Sequence, residues 1–177
     1  RMMALTASTR EMFLQAGIDV PVVSGGGTGS YNMESGIGVL TEVQAGSYVF
    51  MDVEYREIGG EKTELFLDFE PSLHVLVTAI SQPQKKLITV DAGYKSFASD
   101  TVKPQFKDIE GVDFNWGGDE HGIILLNNPS VEIRLGDKLP IVTPHCDPTV
   151  NLYDYYFPHR DGVVSEIWPI AARGKSQ

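Results

Sequence analysis

A single cysteine, Cys146, stands in 177 residues. That excludes an internal disulfide and points to a reducing cytoplasm. Basic residues are scarce: 14 Lys and Arg against 24 Asp and Glu leave a net charge of −10. An acidic surface repels phosphate backbones, which argues against nucleic acid as a partner and otherwise promotes solubility. No apolar run approaches the roughly 18–20 residues of a membrane span. Residues Arg1–Gly17 have no signal-peptide core, being interrupted by Thr6, Ser8, Thr9, Arg10 and Glu11. Repeats and low-complexity tracts are missing too. What is present is 42% hydrophobic residues with 18 Gly and 10 Pro, the mix of a compact globule rich in strands and turns rather than a disordered chain.

Two rhythms follow one another. Ser8-Thr9-Arg10-Glu11 reads as a capping box opening a short helix through Met12, Phe13 and Leu14, with Gly17 closing it in a left-handed conformation. Ile18–Val23 reads as a short strand before a glycine cluster. Helix, strand and glycine loop are the rhythm of an α/β protein. From about Tyr48 the pattern becomes β. Tyr48–Tyr55 alternates, with Val49, Met51, Val53 and Tyr55 on one face and Asp52 and Glu54 on the other. Leu73–Ser81 and Lys86–Ala92 read as strands joined by a turn at Gln82-Pro83-Gln84. Ile123–Leu126, Val131–Leu135, Leu152–Phe157 and Val163–Ile170 read as further strands, with Asp161-Gly162 a turn between the last two. The fold expected is mainly β: an antiparallel domain over residues 36–177, preceded in residues 1–35 by the last helix–strand piece of an α/β domain.

Two clusters carry chemistry. Ser24-Gly25-Gly26-Gly27-Thr28-Gly29-Ser30 follows the expected strand, and its glycines let several N–H groups converge on one anion, usually phosphate, with Thr28 and Ser30 adding hydroxyls. No lysine follows the last glycine, so this is no Walker loop, and Ser30 breaks the dinucleotide fingerprint. The competing reading is a surface turn. The second cluster is Thr143-Pro144-His145-Cys146-Asp147-Pro148-Thr149. In an extended segment His145 and Asp147 face one way and Cys146 the other. Imidazole plus carboxylate is half a divalent metal site, suited to Mn²⁺, Mg²⁺ or Co²⁺ and less exclusively to Zn²⁺; a Cys146 ligand would favour Zn²⁺. The competing reading is a His and an Asp satisfied in a turn.

Taken in order, Ser24–Gly29, Gly46-Ser47-Tyr48-Val49-Phe50-Met51-Asp52, Asp91-Ala92-Gly93 with Lys95, Asp119-Glu120-His121-Gly122 and Pro144–Thr149 resemble the D-threonine aldolase and eukaryotic-type D-serine dehydratase family, over nearly the whole chain. The resemblance implies an alanine racemase-like fold: a TIM-like (β/α)8 barrel carrying pyridoxal 5'-phosphate (PLP), then an antiparallel barrel-like β domain. This chain would hold the end of the barrel (1–35, with the phosphate loop 24–30) and the β domain (36–177). The Schiff-base lysine is then expected upstream of Arg1, no catalytic residue lies in this chain, and Lys85, Lys86 and Lys95 are solvated. Ser24, Gly26, Gly27, Thr28 and Gly29 would hold the PLP phosphate. Tyr48, at the start of the first β-domain strand, would contact the ring or else be a packed aromatic. His145 would ligate the metal. The second ligand separates the branches: the dehydratases resemble His-x-Cys here and the aldolases His-x-Asp, so Asp147 favours an aldolase with Cys146 unbound. No role is assigned to Glu120 or His121, and His74 and His159 are expected to be structural.

The activity implied is PLP- and metal-dependent cleavage of D-3-hydroxy amino acids to glycine and an aldehyde. Manganese is the favoured metal, and a cytoplasmic homodimer the favoured state. Its alternative is D-serine dehydration to pyruvate and ammonia. Opening on Arg1 within an incomplete α/β unit, the chain is expected to be a fragment whose nearest partner is the amino-terminal barrel of the same protein. A reading of another class is a non-catalytic β-domain binding or assembly module.

Overall fold

A computed structural model describes residues 2–34, 36–98 and 102–175. Helix α1 spans Met2–Gln15. It ends at Gly17, where a φ of 74° lets the Ile18 and Gly17 amides reach back to the Phe13 and Leu14 carbonyls, the closure foreseen from sequence. The capping box is not used. Ser8 lies inside the helix and its hydroxyl donates to the Leu5 carbonyl. None of the helix's residues is buried, and Met2, Leu5, Met12, Phe13 and Leu14 are exposed.

The expected strand at Ile18–Val23 does not form, because among the described residues nothing pairs with 18–22. Pairing begins where the Val23 carbonyl meets the Thr41 amide. It continues as β1 (Ser24–Gly25), parallel to β2 (Glu42–Val43), with the short helix α2 (Tyr31–Glu34) between them.

The alternating segment 48–55 is also not a strand. A 3-10 turn covers Ser47–Val49, Met51 adopts a φ of 51°, and helix α3 occupies Val53–Glu57. A left-handed non-glycine residue cannot continue a pleat. Of the face expected to hold Val49, Met51, Val53 and Tyr55, Met51 and Val53 are buried and Val49 is exposed, while Asp52, placed on the other face, is fully buried and caps α3 by accepting the Tyr55 amide at 2.8 Å.

Beyond this the β reading holds. Strands β3 (His74–Gln84), β4 (Leu87–Val90), β5 (Gln105–Phe106), β6 (Val112–Trp116), β7 (Gly122–Leu126) and β8 (Lys138–Val142) form one antiparallel sheet in the order β5-β8-β3-β4-β7-β6. Edge strands β5 and β6 approach each other, so the sheet curls into a nearly closed barrel. The β3–β4 hairpin turns at Lys85-Lys86, not at Gln82-Pro83-Gln84. Pro83 lies where the register slips between Ser81 and Gln84, a bulged position that tolerates its missing N–H. Val131–Leu135 is no strand, since Asp137 accepts the Arg134 amide and bends the chain into the turn at Gly136.

Alternation along the strands builds the core. Val77 and Ala79, Ile88 and Val90, and Leu139 and Ile141 face inward with Phe114 and Ile124. Phe97 closes the core edge-on against Phe114, at 5.8 Å between ring centres. After β8 come helix α4 (Cys146–Val150) and the short strands β9 (Tyr155–Tyr156), β10 (His159–Arg160), β11 (Val163–Val164) and β12 (Trp168–Pro169). Asp161 and Gly162, both at positive φ, make the expected turn, but it joins β10 to β11: the strands expected at Leu152–Phe157 and Val163–Ile170 form only as two-residue pairs at Tyr155–Tyr156, Val163–Val164 and Trp168–Pro169. Among the described residues no helix is long and apolar enough to cross a membrane.

Candidate metal and phosphate site

Strand β8 delivers Thr143-Pro144-His145 to the site. The Thr143 and Pro144 carbonyls accept the Val53 and Glu54 amides, which clamps the start of α3 against this exit. His145 is extended, and the chain then turns directly into α4, so the extended geometry foreseen for 145–147 is replaced by a helical turn. The pair still converges: His145 Nε2 stands 3.6 Å from Asp147 Oδ2. Two ligands about 2.1 Å from a shared cation lie roughly 3.0–3.4 Å apart, so the pair stands only slightly wider than one ion would hold it. Nε2 makes no hydrogen bond among the described residues. Asp147 is exposed, and Ser47 Oγ donates to its Oδ2 at 2.6 Å.

Cys146 does not point to the opposite side as expected. Its Sγ lies 3.8 Å from Asp147 Oδ2, yet the residue is buried. Burial, with the Asp52 and Asp147 carboxylates beside it, pushes the thiol's pKa far up, so without a metal it stays protonated and a poor ligand. Asp52, His145 and Cys146 do offer donor atoms within 4.8 Å of one another. However, both Asp52 oxygens are occupied: Oδ1 by the Tyr55 amide, Oδ2 by His145 Nδ1 at 2.9 Å and the Cys146 amide at 2.7 Å. Burial lowers the proton affinity of His145, but the hydrogen bond and charge of Asp52, with Glu54 and Asp147, outweigh it and raise the pKa above the usual histidine value.

The glycine loop lies on the other side of Ser47-Tyr48. Thr28 is buried and its Oγ1 accepts the Tyr48 amide at 3.0 Å. That leaves the Thr28 proton free to donate. Gly26 takes a φ of 71°, a conformation that calls for glycine, and a Cβ at Gly29 would meet only the mobile tip of the exposed Ile58 side chain. Ser30 Oγ accepts the Gly27 amide, while the amides of Gly26, Thr28 and Gly29 have no partner among the described residues. These amides and the Thr28 hydroxyl fit a phosphate.

Ser24 instead directs its hydroxyl to Glu42, in a bond accompanied by Gln44. Tyr48 is not on a strand. Its half-exposed ring tilts against Phe69, 5.4 Å between centres, and with Thr28, Tyr31, Val43, Ala45 and Phe69 lines an open cleft of about 360 Å³. Sequence reasoning missed Ser47, Asp52, Tyr31 and Phe69. A signal existed for Asp52: an Asp directly before Val53-Glu54-Tyr55 is a helix-capping pattern. Lys95 and Glu120 form an exposed ion pair, and His121 lines a shallow depression on the sheet with Ile80 and Thr89.

The barrel-like β domain matches the alanine racemase-like carboxy-terminal domain. The family described as "Putative serine dehydratase domain" matches residues 72–158. The chain is 39% identical over 173 residues to a D-threonine aldolase of an Arthrobacter species, covering 98% of this chain and 45% of the relative. It is 38% identical over 162 residues to the 3-hydroxy-D-aspartate aldolase of Paracoccus denitrificans, covering 90% and 41%. Among solved structures, the D-threonine aldolase of Filomicrobium marinum superposes with a TM-score of 0.91 at 35% identity, over 98% of this chain and 47% of that one. A cysteine variant of D-threo-3-hydroxyaspartate dehydratase in its metal-free form superposes with a TM-score of 0.77 at 26% identity, over 94% and 48%. The chain is homologous to D-threonine aldolase and 3-hydroxy-D-aspartate aldolase and matches their carboxy-terminal half. It spans about half the length of the curated relatives it matches.

Proposed function

We propose that the protein carrying this chain is a PLP- and divalent-metal-dependent lyase that splits D-3-hydroxy amino acids, D-threonine first among them, into glycine and an aldehyde. The observation that carries the reading is the His145 Nε2 and Asp147 Oδ2 pair at 3.6 Å, joined through Ser47-Tyr48 to the glycine loop. In this reading Gly26, Gly27, Thr28 and Gly29 hold the PLP phosphate with backbone amides and one hydroxyl, Ser24 braces the loop from its start, and Tyr48 borders the ring. His145 and Asp147 hold the cation: Mn²⁺ first, with Mg²⁺, Co²⁺ or Zn²⁺ as substitutes. When bound, PLP supplies an electron sink for the developing carbanion and the cation lowers the pKa of the substrate hydroxyl.

The chain's own residues do the holding. Ser47 aims one Asp147 oxygen by donating to it, and the buried Asp52 holds the His145 ring by its far nitrogen. Tyr31, Tyr48 and Phe69 give the open cleft an aromatic wall. The Schiff-base lysine and the base that takes the hydroxyl proton are assigned to protein outside these residues. The division at 35/36, a homodimer and a cytoplasmic setting complete the proposal.

Assay of the full protein with D-threonine, PLP and Mn²⁺ is expected to yield glycine and acetaldehyde, with the activity lost on chelation. D-serine dehydration is the second reading, favoured by the likeness to a dehydratase and by Cys146 lying beside the pair. Pyruvate and ammonia from D-serine, with no glycine from D-threonine, would put it in place of the first.

A further inference from the structure

We infer that Asp52 is a positioning residue of the metal site: its carboxylate holds His145 in the Nδ1–H tautomer, so that the Nε2 lone pair faces the cation position beside Asp147. The inference rests on the reading of His145 and Asp147 as metal ligands. Asp52 is completely buried and takes three hydrogen bonds, from the Tyr55 amide, the Cys146 amide and His145 Nδ1. The two amides can only donate, so both carboxylate oxygens are acceptors, and the third contact is satisfied by a proton on Nδ1. A neutral imidazole protonated at Nδ1 is bare at Nε2, the nitrogen 3.6 Å from Asp147 Oδ2.

The same carboxylate fixes the ligand-bearing turn. Through the Cys146 amide it holds the first residue of α4, and so sets where Asp147 leaves the chain. Through the Tyr55 amide it caps α3, whose first amides bond to Thr143 and Pro144. Asp52 therefore locks two segments 93 residues apart in sequence into the geometry that presents both ligands, with its Oδ2 engaged by two donors. Carboxylate partners of metal-bound histidines act in this way, and their loss weakens metal binding about 10- to 100-fold.

The test is a double-mutant cycle on Mn²⁺ affinity, read from the electron paramagnetic resonance of free Mn²⁺ over the full, PLP-loaded protein. Asp52→Asn places an amide N–H2 against a donor and favours the opposite tautomer. We expect it to weaken Mn²⁺ binding by about 10- to 100-fold. His145→Ala is expected to weaken it at least as much, and the double variant to be no weaker than His145→Ala alone, because Asp52 acts through His145. An unchanged affinity in Asp52→Asn would overturn the inference. So would a further loss in the His145→Ala background, which would make Asp52 a ligand. If His145→Ala keeps the parent affinity, the metal reading itself fails and the inference falls with it. Should Asp52→Asn not fold, long-range ¹⁵N spectra of the histidine-labelled, metal-free parent protein decide: a protonated Nδ1 with a bare Nε2 on His145 supports the inference, and the reverse tautomer overturns it.

Discussion

The sheet and the site are held together by different forces. Among the described residues, the cluster lining the curled sheet is wholly apolar, from Val77 and Ala79 through Ile88, Val90, Phe114 and Ile124 to Ile141. The buried polar side chains, Thr28, Ser47, Asp52, Thr143 and Thr149, all lie in the glycine loop, the 47–52 turn or the 143–149 segment. The first region gains stability from removing apolar area from water, which is non-directional and tolerant of small shifts. The second is organised by directed hydrogen bonds, which add little net stability but are costly to leave unmade and so specify one geometry. A domain that stores its stability in one place and its chemistry in another can change ligands without losing its fold.

That contrast can be broken experimentally. The largest effect is expected in the sheet. Phe97→Ala empties a site that is 1% exposed and should lower unfolding stability by about 3–5 kcal/mol in urea titration; a loss below about 1 kcal/mol would mean the curled sheet is not the stability core. Next comes Thr28→Val, which keeps the volume but strips the Tyr48 amide of its acceptor. A cost of about 1–2 kcal/mol is expected, together with weaker PLP retention followed by absorbance; full retention would detach Thr28 from the phosphate. Asp147→Asn, on an exposed side chain, should change stability by less than about 0.5 kcal/mol while Mn²⁺ binding, measured by calorimetry, weakens severely. Destabilisation on the scale of Phe97→Ala would erase the distinction between the two regions.

The smallest effect separates two histidines by pH. His74, in β3, is half-buried, and its Nε2 atom is covered without a hydrogen-bond partner among the described residues. Burial first, then Lys107 and His159, hold its pKa below the usual value. A depressed folded pKa means the stability it contributes is present above the unfolded histidine pKa and is lost as pH falls through the folded one. His145 runs the other way in the metal-free protein. Its raised pKa contributes stability below the unfolded value that is lost as pH rises through the folded one. Denaturant midpoints followed from pH 8 to pH 5 should therefore flatten at the acid end in His74→Asn and lose an acid-side contribution in His145→Asn. The same slope in both variants would refute the opposed shifts. Since a metal needs the neutral ring, Mn²⁺ should also be displaced at a higher pH than an ordinary histidine site would show.

Segments 48–55 and 86–92 show why one region was readable and the other was not. Both alternate apolar and polar residues. At 86–92 the pattern was sound, because Ile88 and Val90 have β3 and β7 beside them to complete the pleat. At 48–55 Met51 and Val53 are buried as the pattern requires, but the amides of Val53 and Glu54 bond to Thr143 and Pro144, and the chain coils into α3. Val131–Leu135 fails similarly: Ile133 reaches the core from an irregular segment rather than a strand. Alternation reports which side chains are apolar at a given spacing. It does not report whether a neighbouring backbone is available to pair.

The residue order alone determined the mainly β character, the strands around 74–90 and at 123–126, the turn at Asp161-Gly162, the glycine loop, and the His145 and Asp147 candidates. These rest on local spacing, turn chemistry and residue type, all of which lie within a few positions along the chain. The tertiary structure decided that Asp52 is inside, that Ser47 binds Asp147 across 100 residues of sequence, and that Thr28 meets Tyr48. A buried polar group takes whatever partner the packed fold brings to it, and hydrogen bonds between such distant residues leave no periodicity in the sequence to be read.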